Sequence, residues 1–258
     1  MANFGQVEPV ITSIANTFPG RQTMRIDKLI SESGIASRKE AARAARSGGV
    51  TVDGKVVKDL STHIDPEKCR VTYLGREIIY RRFTYVMLNK PEGYVSATDD
   101  KSLPYVTELL PEELRRMELF PVGRLDRDTT GLMILTNNGV LAHSLLSPKH
   151  HVAKEYFFTA AEPLCDGAEE QFRSGVTLAD GYECKSAVLS LSGDRMSGEI
   201  TLTEGKYHQI KRMVAAMGNR VTSLRRISFG SIPLDTSLAE GEWRYLTDEE
   251  IAILEKQG

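Results

Sequence analysis

Residues 123–132 hold the densest group of side chains that could do chemistry. Their sequence is GRLDRDTTGL, in which two carboxylates, Asp126 and Asp128, alternate with two guanidinium groups, Arg124 and Arg127. A carboxylate beside cations can act as a nucleophile or as a proton acceptor. The composition also fits a surface turn with ion pairs. The apolar run that follows favours a partly buried ion network, in which an unpaired carboxylate would be costly.

A phosphatase is one interpretation of this segment. Residues 126–130 (DRDTT) resemble the DxDxT signature of haloacid-dehalogenase-type phosphatases, in which the first Asp attacks a phosphate with the help of magnesium. That signature should end an apolar strand, whereas Pro121, Gly123 and Arg124 precede Asp126 and break any strand. The sequence also lacks an obvious later acidic pair to hold the metal. We therefore regard a phosphatase as the less favoured interpretation of this segment.

Several strands are predicted to position these groups in a domain over 83–258. An apolar strand at 85–88 opens the domain, and strand-like runs recur at 155–160, 187–191, 199–202 and 220–227. Many strands with few helices between them favour an α+β fold with a mixed, mostly antiparallel sheet.

One helix of this domain is clearly indicated. Its apolar residues recur with the spacing of a single buried face, at Ile210, Met213, Val214 and Met217. Gly218 is placed to end the helix. Lys211 lies one residue after Ile210, off the buried face, so its side chain can point into a cleft. The alternative is an ordinary exposed lysine beside Arg212.

Residues 24–80 are predicted to form a separate small module. Asp27 is expected to cap a first helix that ends at Gly34. Two hairpins are expected later in the module, over 50–57 and 70–80. Residues 1–23 are expected to be a flexible extension, or sequence upstream of a natural start.

The second helix of this module carries a row of cations. Ser37 and Glu40 form a capping box at its start. Lys39, Arg43 and Arg46 then follow at i, i+4 and i+7, with Arg38 beside them. Such a row suits the phosphates of an RNA backbone, although a solvated helix face has the same pattern.

The charge of the chain is unevenly distributed. The whole chain has a net charge of −2, but residues 24–82 carry +5 and the residues after them −7. A basic module joined to an acidic body suggests a polyanion contact, and a solvated basic surface is compatible with the same balance.

The cysteines and the hydropathy limit the possible classes of protein. Cys69, Cys165 and Cys184 are widely spaced and form no CxxC pair, which predicts reduced thiols in a cytoplasmic protein and no zinc framework. No apolar run approaches the ~20 residues of a membrane helix, and residues 1–23 do not resemble a signal peptide. We expect no membrane partner.

The module resembles the S-four-type RNA-binding domain, a small αL-type fold. The resemblance rests on residues 24–30 (MRIDKLI), 36–41 (ASRKEA) and 49–57 (GVTVDGKVV). It implies binding of structured RNA, mostly through shape and phosphates. The candidate RNA-binding residues are Arg25, Lys28, Arg38, Lys39, Arg43 and Arg46.

Residues 123–132 closely resemble the catalytic motif of the RsuA/RluA pseudouridine synthases. Further motifs of that family are matched, in order, by residues 89–93 (NKPEG), 154–156 (KEY) and 204–213 (EGKYHQIKRM). The probability that all these motifs match in order by chance is very small. The resemblance implies isomerisation of uridine in ribosomal RNA, with no metal and no cofactor.

The resemblance also implies roles for particular residues. Asp126 would be the nucleophile and Lys211 the cation that keeps it ionised. Arg124 would fill the space left by the flipped base, and Tyr156 would stack on that base. Ile210 would pack beneath it, although its spacing indicates the core first.

Two segments bear on which ribosomal RNA would be the substrate. Residues 205–213 and 147–151 look most like the enzyme of the small ribosomal subunit, which favours 16S RNA or a partly assembled small subunit as substrate. A large-subunit enzyme and a noncatalytic ribosome-assembly factor are the alternatives. His150 and His151 are interpreted as an RNA-facing loop, and His208 as structural or substrate-adjacent. We expect a monomer.

Overall fold

The computed structural model describes residues 23–258, in which a small module precedes a larger domain built on one sheet. The extension predicted over 1–23 lies outside the described residues except for Thr23. The boundaries predicted for the two domains, 24–80 and 83–258, stay predictions.

The first module contains two helices and six short strands. They are β1 (Met24–Arg25), α1 (Ile26–Glu32), α2 (Arg38–Arg46), β2 (Val50–Val52), β3 (Lys55–Val56), β4 (His63–Ile64), β5 (Val71–Tyr73) and β6 (Arg76–Glu77). Four strands form an antiparallel sheet in the order β3-β2-β5-β6, and β1 pairs with β4. Both predicted hairpins are present within it.

The start of α1 differs from the prediction. The helix begins at Ile26 with Arg25 in the N-cap position, and Asp27 lies in the first turn. The Asp27 carboxylate instead accepts hydrogen bonds of 3.0 and 2.8 Å from the guanidinium of Arg25. This hydrogen bonding holds the pKa of Asp27 below its ordinary value. The predicted Asp27 cap is wrong because a neighbouring cation competes for the carboxylate.

The capping box of α2 is confirmed. The Ser37 hydroxyl accepts from the amide of Glu40, and the Glu40 carboxylate accepts from the amide of Ser37 at 2.7 Å. Ala41, Ala44 and Ala45 are buried, so α2 packs closely on the module and turns its cations outward.

The second domain contains nine strands, six helical elements and their connections. They are β7 (Tyr85–Lys90), a 3-10 helix (Val106–Leu109), α3 (Glu112–Arg115), β8 (Phe120–Pro121), β9 (Thr130–Thr136), α4 (Gly139–Leu146), β10 (Lys154–Ala160), α5 (Ala168–Ser174), β11 (Val188–Leu191), β12 (Ser197–Leu202), α6 (Gln209–Ala216), β13 (Val221–Phe229), β14 (Ile232–Pro233), β15 (Trp243–Tyr245) and α7 (Asp248–Gln257).

These strands form a mixed, mostly antiparallel sheet, as predicted. Seven of them run in the order β11-β12-β10-β13-β9-β7-β15, while β14 pairs with β13 and β8 with β9. Among the described strands, β13 and β9 make the single parallel pair. The interior strand β9, between β13 and β7, is buried from Gly131 to Thr136, so the loop entering it is fixed inside the sheet.

Helix α6 packs on one face of this sheet through its predicted apolar stripe. Ile210, Met213 and Val214 belong to a buried cluster that includes Phe158 and Leu224. Burial of these side chains fixes the rotation of the helix and therefore the direction of Lys211. Within residues 23–258, no helix has the length and apolar character needed to cross a membrane.

Candidate active site

The loop between β8 and β9 carries the densely charged segment. Leu125 anchors it, because its side chain is buried and its amide donates to the Ser96 hydroxyl at 2.9 Å. The same hydroxyl donates to the Leu125 carbonyl at 2.7 Å. The neighbours of Leu125 point away from the core: Arg124 is exposed and Asp126 is partly buried.

Gly131 allows the loop to enter the sheet closely. Its φ is +98°, and a Cβ atom added there would lie 2.3 Å from the backbone oxygen of Arg226 on β13. Only glycine fits this parallel contact without displacing one of the strands. The contact between β9 and β13 therefore sets the position of the loop relative to α6, which packs near β13.

Lys211 joins two carboxylates of the loop. Its Nζ lies 3.0 Å from Asp126 Oδ2 and 2.5 Å from Asp128 Oδ1. The side chains of Lys211 and Asp126 are 22% and 27% exposed, so solvent screens this pair only in part. Burial acts to lower the pKa of Lys211, but its two hydrogen bonds outweigh burial and raise that pKa. The site therefore stabilises a protonated lysine beside Asp126.

Asp128 shares the same cation. Burial acts to raise the pKa of Asp128, but the hydrogen bond from Lys211 and the positive charge of that lysine, together with a backbone hydrogen bond, hold the pKa below its ordinary value. One ammonium group thus faces two carboxylates, which gives this part of the site an excess negative charge.

Lys90 lies beneath the loop, fully buried at the end of β7. Its Nζ donates to the backbone oxygens of Pro91, Arg127 and Thr129 at 3.0, 3.3 and 2.8 Å. Burial lowers the pKa of Lys90 to about 8, although Asp128 and Asp126 act to raise it. Lys90 was not among the predicted site residues. What could have indicated it is a charged residue at the end of a largely apolar strand, inside the motif at residues 89–93.

Tyr156 and Arg226 stand opposite each other on β10 and β13. Tyr156 is half-buried and packs against two clusters, one containing Ile210 and the other Leu125. Arg226 is only 2% exposed and donates from Nε to the carbonyl of Leu132 at 2.7 Å. Burial lowers the pKa of Arg226, while the Tyr156 phenol acts in the opposite direction.

His208 approaches the same carboxylate as Lys211. Its Nε2 lies 3.6 Å from Asp126 Oδ1, and its backbone occupies the left-handed region at the N-cap of α6. The structure therefore places His208 beside Asp126, and its role, structural or substrate-adjacent, stays a prediction.

The remaining predicted site residues lie as follows. Arg124 makes no ion pair or side-chain hydrogen bond to any described residue. Arg38, Lys39, Arg43 and Arg46 are exposed on α2. Arg25 pairs with Asp27, and Lys28 with Glu32 at 3.5 Å. His150 lies 3.2 Å from the Gln257 carbonyl. The functional roles of these residues stay predictions.

The strand context of the phosphatase signature is missing. β8 ends at Pro121, five residues before Asp126, and β9 begins only at Thr130. Asp126 therefore belongs to a loop that leads into a strand, whereas that signature follows the end of a strand.

Two family models match the chain. Residues 84–216 match the model described as RNA pseudouridylate synthase, and residues 24–68 match the S4 domain. The fold is thus that of an RNA-modifying isomerase joined to an RNA-binding module. The chain belongs to the RNA pseudouridylate synthase family and carries an S4 domain. The family resemblance predicted from its motifs is therefore confirmed.

Individual relatives agree with this family. The chain is 43% identical over 231 residues to ribosomal small subunit pseudouridine synthase A of Escherichia coli, covering 89% of this chain and 99% of the relative. It is 44% identical over 234 residues to an uncharacterized RNA pseudouridine synthase, YtzG, of Bacillus subtilis, covering 90% and 98%. A crystal structure of a pseudouridylate synthase superimposes with a TM-score of 0.64 at 38% identity, covering 90% of this chain and 99% of the other.

Proposed function

We propose that this protein converts a uridine of small-subunit 16S ribosomal RNA to pseudouridine, with Asp126 as nucleophile. The observation that carries the proposal is the 3.0 Å contact between Asp126 and Lys211, which joins the loop before β9 to α6. Lys211 sets a positive charge against this carboxylate at a place where a substrate base would displace the remaining solvent.

The reaction needs no redox change, because uridine and pseudouridine are isomers. The N1–C1′ bond breaks, the detached uracil turns, C5 bonds to C1′, and the proton at C5 is lost while N1 gains one. Asp126 assists cleavage by acting at the sugar and later takes part in proton removal. Lys211 holds the carboxylate in place and balances its charge.

Three further residues have proposed roles around this centre. A uridine in folded RNA must leave its stack to reach Asp126, at a cost of a few kcal/mol. Arg124, exposed beside Asp126, fills the vacancy and contacts nearby phosphates. Tyr156 stacks on the flipped uracil, and Ile210 packs beneath it from α6.

The RNA itself is bound by both parts of the chain. The exposed cations of α2, assisted by Arg25 and Lys28, contact phosphates of the ribosomal RNA or of a partly assembled small subunit. The small subunit is preferred because the E. coli relative bears that name and is matched over nearly its whole length. We further propose that the protein acts in the cytoplasm as a monomer.

Tritium release from C5-labelled RNA tests this proposal. Small-subunit transcript, large-subunit transcript and partly assembled small subunits are assayed separately, with a chelator present throughout. Release from the small-subunit RNA or its assembly intermediate alone is expected. Release from the large-subunit RNA would overturn the target and keep the chemistry. Binding without release from any of the three would favour the assembly-factor alternative.

A further inference from the structure

Tyr207 is a large aromatic side chain that is open to solvent near the candidate active site. It is 73% exposed, although burial of an aromatic ring ordinarily stabilises a fold. One face of its ring stacks on the imidazole of His208, with 3.8 Å between the centroids and 18° between the planes. With 73% of the side chain exposed, the opposite face of the Tyr207 ring is left uncovered by residues 23–258.

His208 connects this ring to the catalytic centre. Its Nε2 lies 3.6 Å from Asp126 Oδ1, so carboxylate, imidazole and phenol follow one another outward from the site. A flat group placed on the free face of Tyr207 would therefore lie one ring beyond His208. A position one ring beyond His208 suits the nucleotide next to the one that reacts.

The backbone that presents the two rings is held by hydrogen bonds. His208 has φ +48° and ψ +36°, a conformation uncommon for residues other than glycine. Arg212 donates its amide to the His208 carbonyl at 3.0 Å and Nη1 to the Tyr207 carbonyl at 3.4 Å. Backbone strain fixed in this way is typical of functional segments.

Gln209 holds the other side of the same turn. Its side-chain oxygen accepts from the Lys206 amide at 2.9 Å, and its nitrogen donates to Glu204 Oε1 at 2.6 Å. Because the turn is already ordered, a ligand that stacks on Tyr207 has little loop entropy to overcome.

The chemistry of the surface fits a nucleobase. Most of the Tyr207 side chain is open to solvent, whereas the Nζ of the preceding Lys206 lies over the ring of Tyr182, 4.8 Å from its centroid. An exposed aromatic platform is the usual means of holding a single-stranded base. Flipping a uridine also deprives the neighbouring base of one stacking partner, which such a platform can replace.

We propose that Tyr207 stacks on the base of the nucleotide next to the flipped uridine, with His208 as the inner ring of the stack. The proposal rests on the proposed function, because the stack lies beside a target uridine only if Asp126 is the group that acts on it.

Tyr207→Ala and Tyr207→Phe test the role of the ring, with Tyr245→Ala as a matched control on β15 at the edge of the sheet. Thermal melts confirm that each variant is folded. In the tritium assay, Tyr207→Ala is expected to raise KM by roughly 5- to 100-fold, the effect of losing one stacked base, and to change kcat much less. Tyr207→Phe and Tyr245→Ala should match the parent. A change in KM of less than twofold in Tyr207→Ala would overturn the proposal.

A fluorescent base provides a readout that a merely structural role would not alter. 2-Aminopurine is placed at one position at a time in a small-subunit RNA fragment that the parent binds. At one position, fluorescence should be lower in complexes of the parent and Tyr207→Phe than in the complex of Tyr207→Ala, and the adjacent uridine should be the one converted. Equal fluorescence at every position would refute the stacking.

The same experiment separates this inference from the proposed function. If the parent converts no uridine but still quenches one base through the Tyr207 ring, the proposed function and the position beside a flipped uridine are overturned. Stacking of a base on Tyr207 would then remain supported. If conversion occurs and the quenched base is not adjacent to the converted uridine, only the further inference fails.

Discussion

At the scale of single residues, Lys211 is the cation that joins the two carboxylates of the candidate site. It contacts both the partly buried Asp126 and the exposed Asp128, so its removal would leave Asp126 without this compensating charge. The substitution Lys211→Met is therefore expected to lower kcat by about 10²-fold or more, as loss of a charge-stabilising group does in other enzymes.

Lys211→Arg is the matched control for this prediction. It keeps the charge but not the compact geometry, so it should retain far more activity than Lys211→Met. Single-turnover rates on the same RNA measure both variants. Equal losses in the two variants would show that geometry, and not charge, is what the site requires.

Lys90 gives a prediction about pH. Its pKa in the folded protein is about 8, below the ordinary 10.5, so between these values the unfolded chain binds the proton that the folded chain has lost. The contribution of Lys90 to stability should therefore rise as the pH increases from about 8 towards 10.5, and should be constant below pH 8.

Urea denaturation of the parent and of Lys90→Met at several pH values measures this effect. The difference between their free energies of unfolding should change with pH in that window, whereas the exposed Lys101→Met should give a constant difference. A parent-minus-Lys90→Met difference that does not depend on pH would show that Lys90 keeps an ordinary pKa.

The sequence could predict some of these residues and not others. Asp126 and Lys211 belong to motifs, so their pairing could be anticipated from the family resemblance. Lys90 and His208 contact the loop only because β7 and α6 fold against it from distant parts of the chain. Local patterns carry no information about such distances.

At the scale of elements, α2 is expected to contribute affinity but no chemistry. Replacing both Arg43 and Arg46 by Gln should weaken RNA binding uniformly across sequences. It should also reduce the salt slope of log K by roughly 1.4 to 1.8, since each phosphate contact contributes about 0.7 to 0.9. The rate at saturating RNA should not change.

A filter-binding titration in increasing salt measures the slope. Lys256→Gln, on the exposed face of α7, removes one charge from another part of the protein and should leave the slope unchanged. A double variant with the parental salt slope would show that the row of cations faces only solvent.

The contact between β9 and β13 is sensitive to a single methyl group. Gly131→Ala combines a positive φ with a clash against the Arg226 backbone. It should lower the free energy of unfolding by about 2 kcal/mol or more. Gly93→Ala is a matched control, because Gly93 has a similar φ of +92° with no atom within 4 Å of the added Cβ.

Denaturant titrations of the two alanine variants separate strain from collision. Gly93→Ala should show the cost of the backbone conformation alone, about 1 kcal/mol, and Gly131→Ala distinctly more. Equal losses in both variants would contradict the close approach of β13 to the loop.

Elements defined by local signals were predicted well. The capping box placed the start of α2, and the apolar spacing placed α6 with its end near Gly218. The start of α1 was not predicted correctly. Whether the Asp27 carboxylate accepts hydrogen bonds from backbone amides or from the Arg25 guanidinium depends on side-chain geometry, which the sequence does not show. The mixed sheet could be expected from the many strand-like runs with few helices between them, but the parallel pairing of β9 with β13 depends on long-range topology.

At the scale of the whole molecule, the basic module and the catalytic domain meet through ion pairs and direct packing. Arg116 Nη1 lies 3.4 Å from Glu40 Oε2, and Arg76 Nη1 lies 3.0 Å from Glu113 Oε1. Such pairs near the surface contribute only about 0–1 kcal/mol each. Gly34 also approaches the backbone of Glu113 so closely that an added Cβ would lie 2.2 Å from its oxygen, so the contact between the two parts does not rest on charge alone.

The proposed mechanism requires that Asp126, and not its neighbour Asp128, carries out the reaction. Both carboxylates contact Lys211, so Asp128→Asn is a matched control that removes one negative charge from the same cation. The direct measurement is tritium release from C5-labelled small-subunit RNA by the parent, Asp126→Asn and Asp128→Asn, with RNA binding measured in parallel. We predict that Asp126→Asn binds RNA but releases no tritium, whereas Asp128→Asn retains measurable release. Release by Asp126→Asn at a rate close to that of the parent would contradict the account.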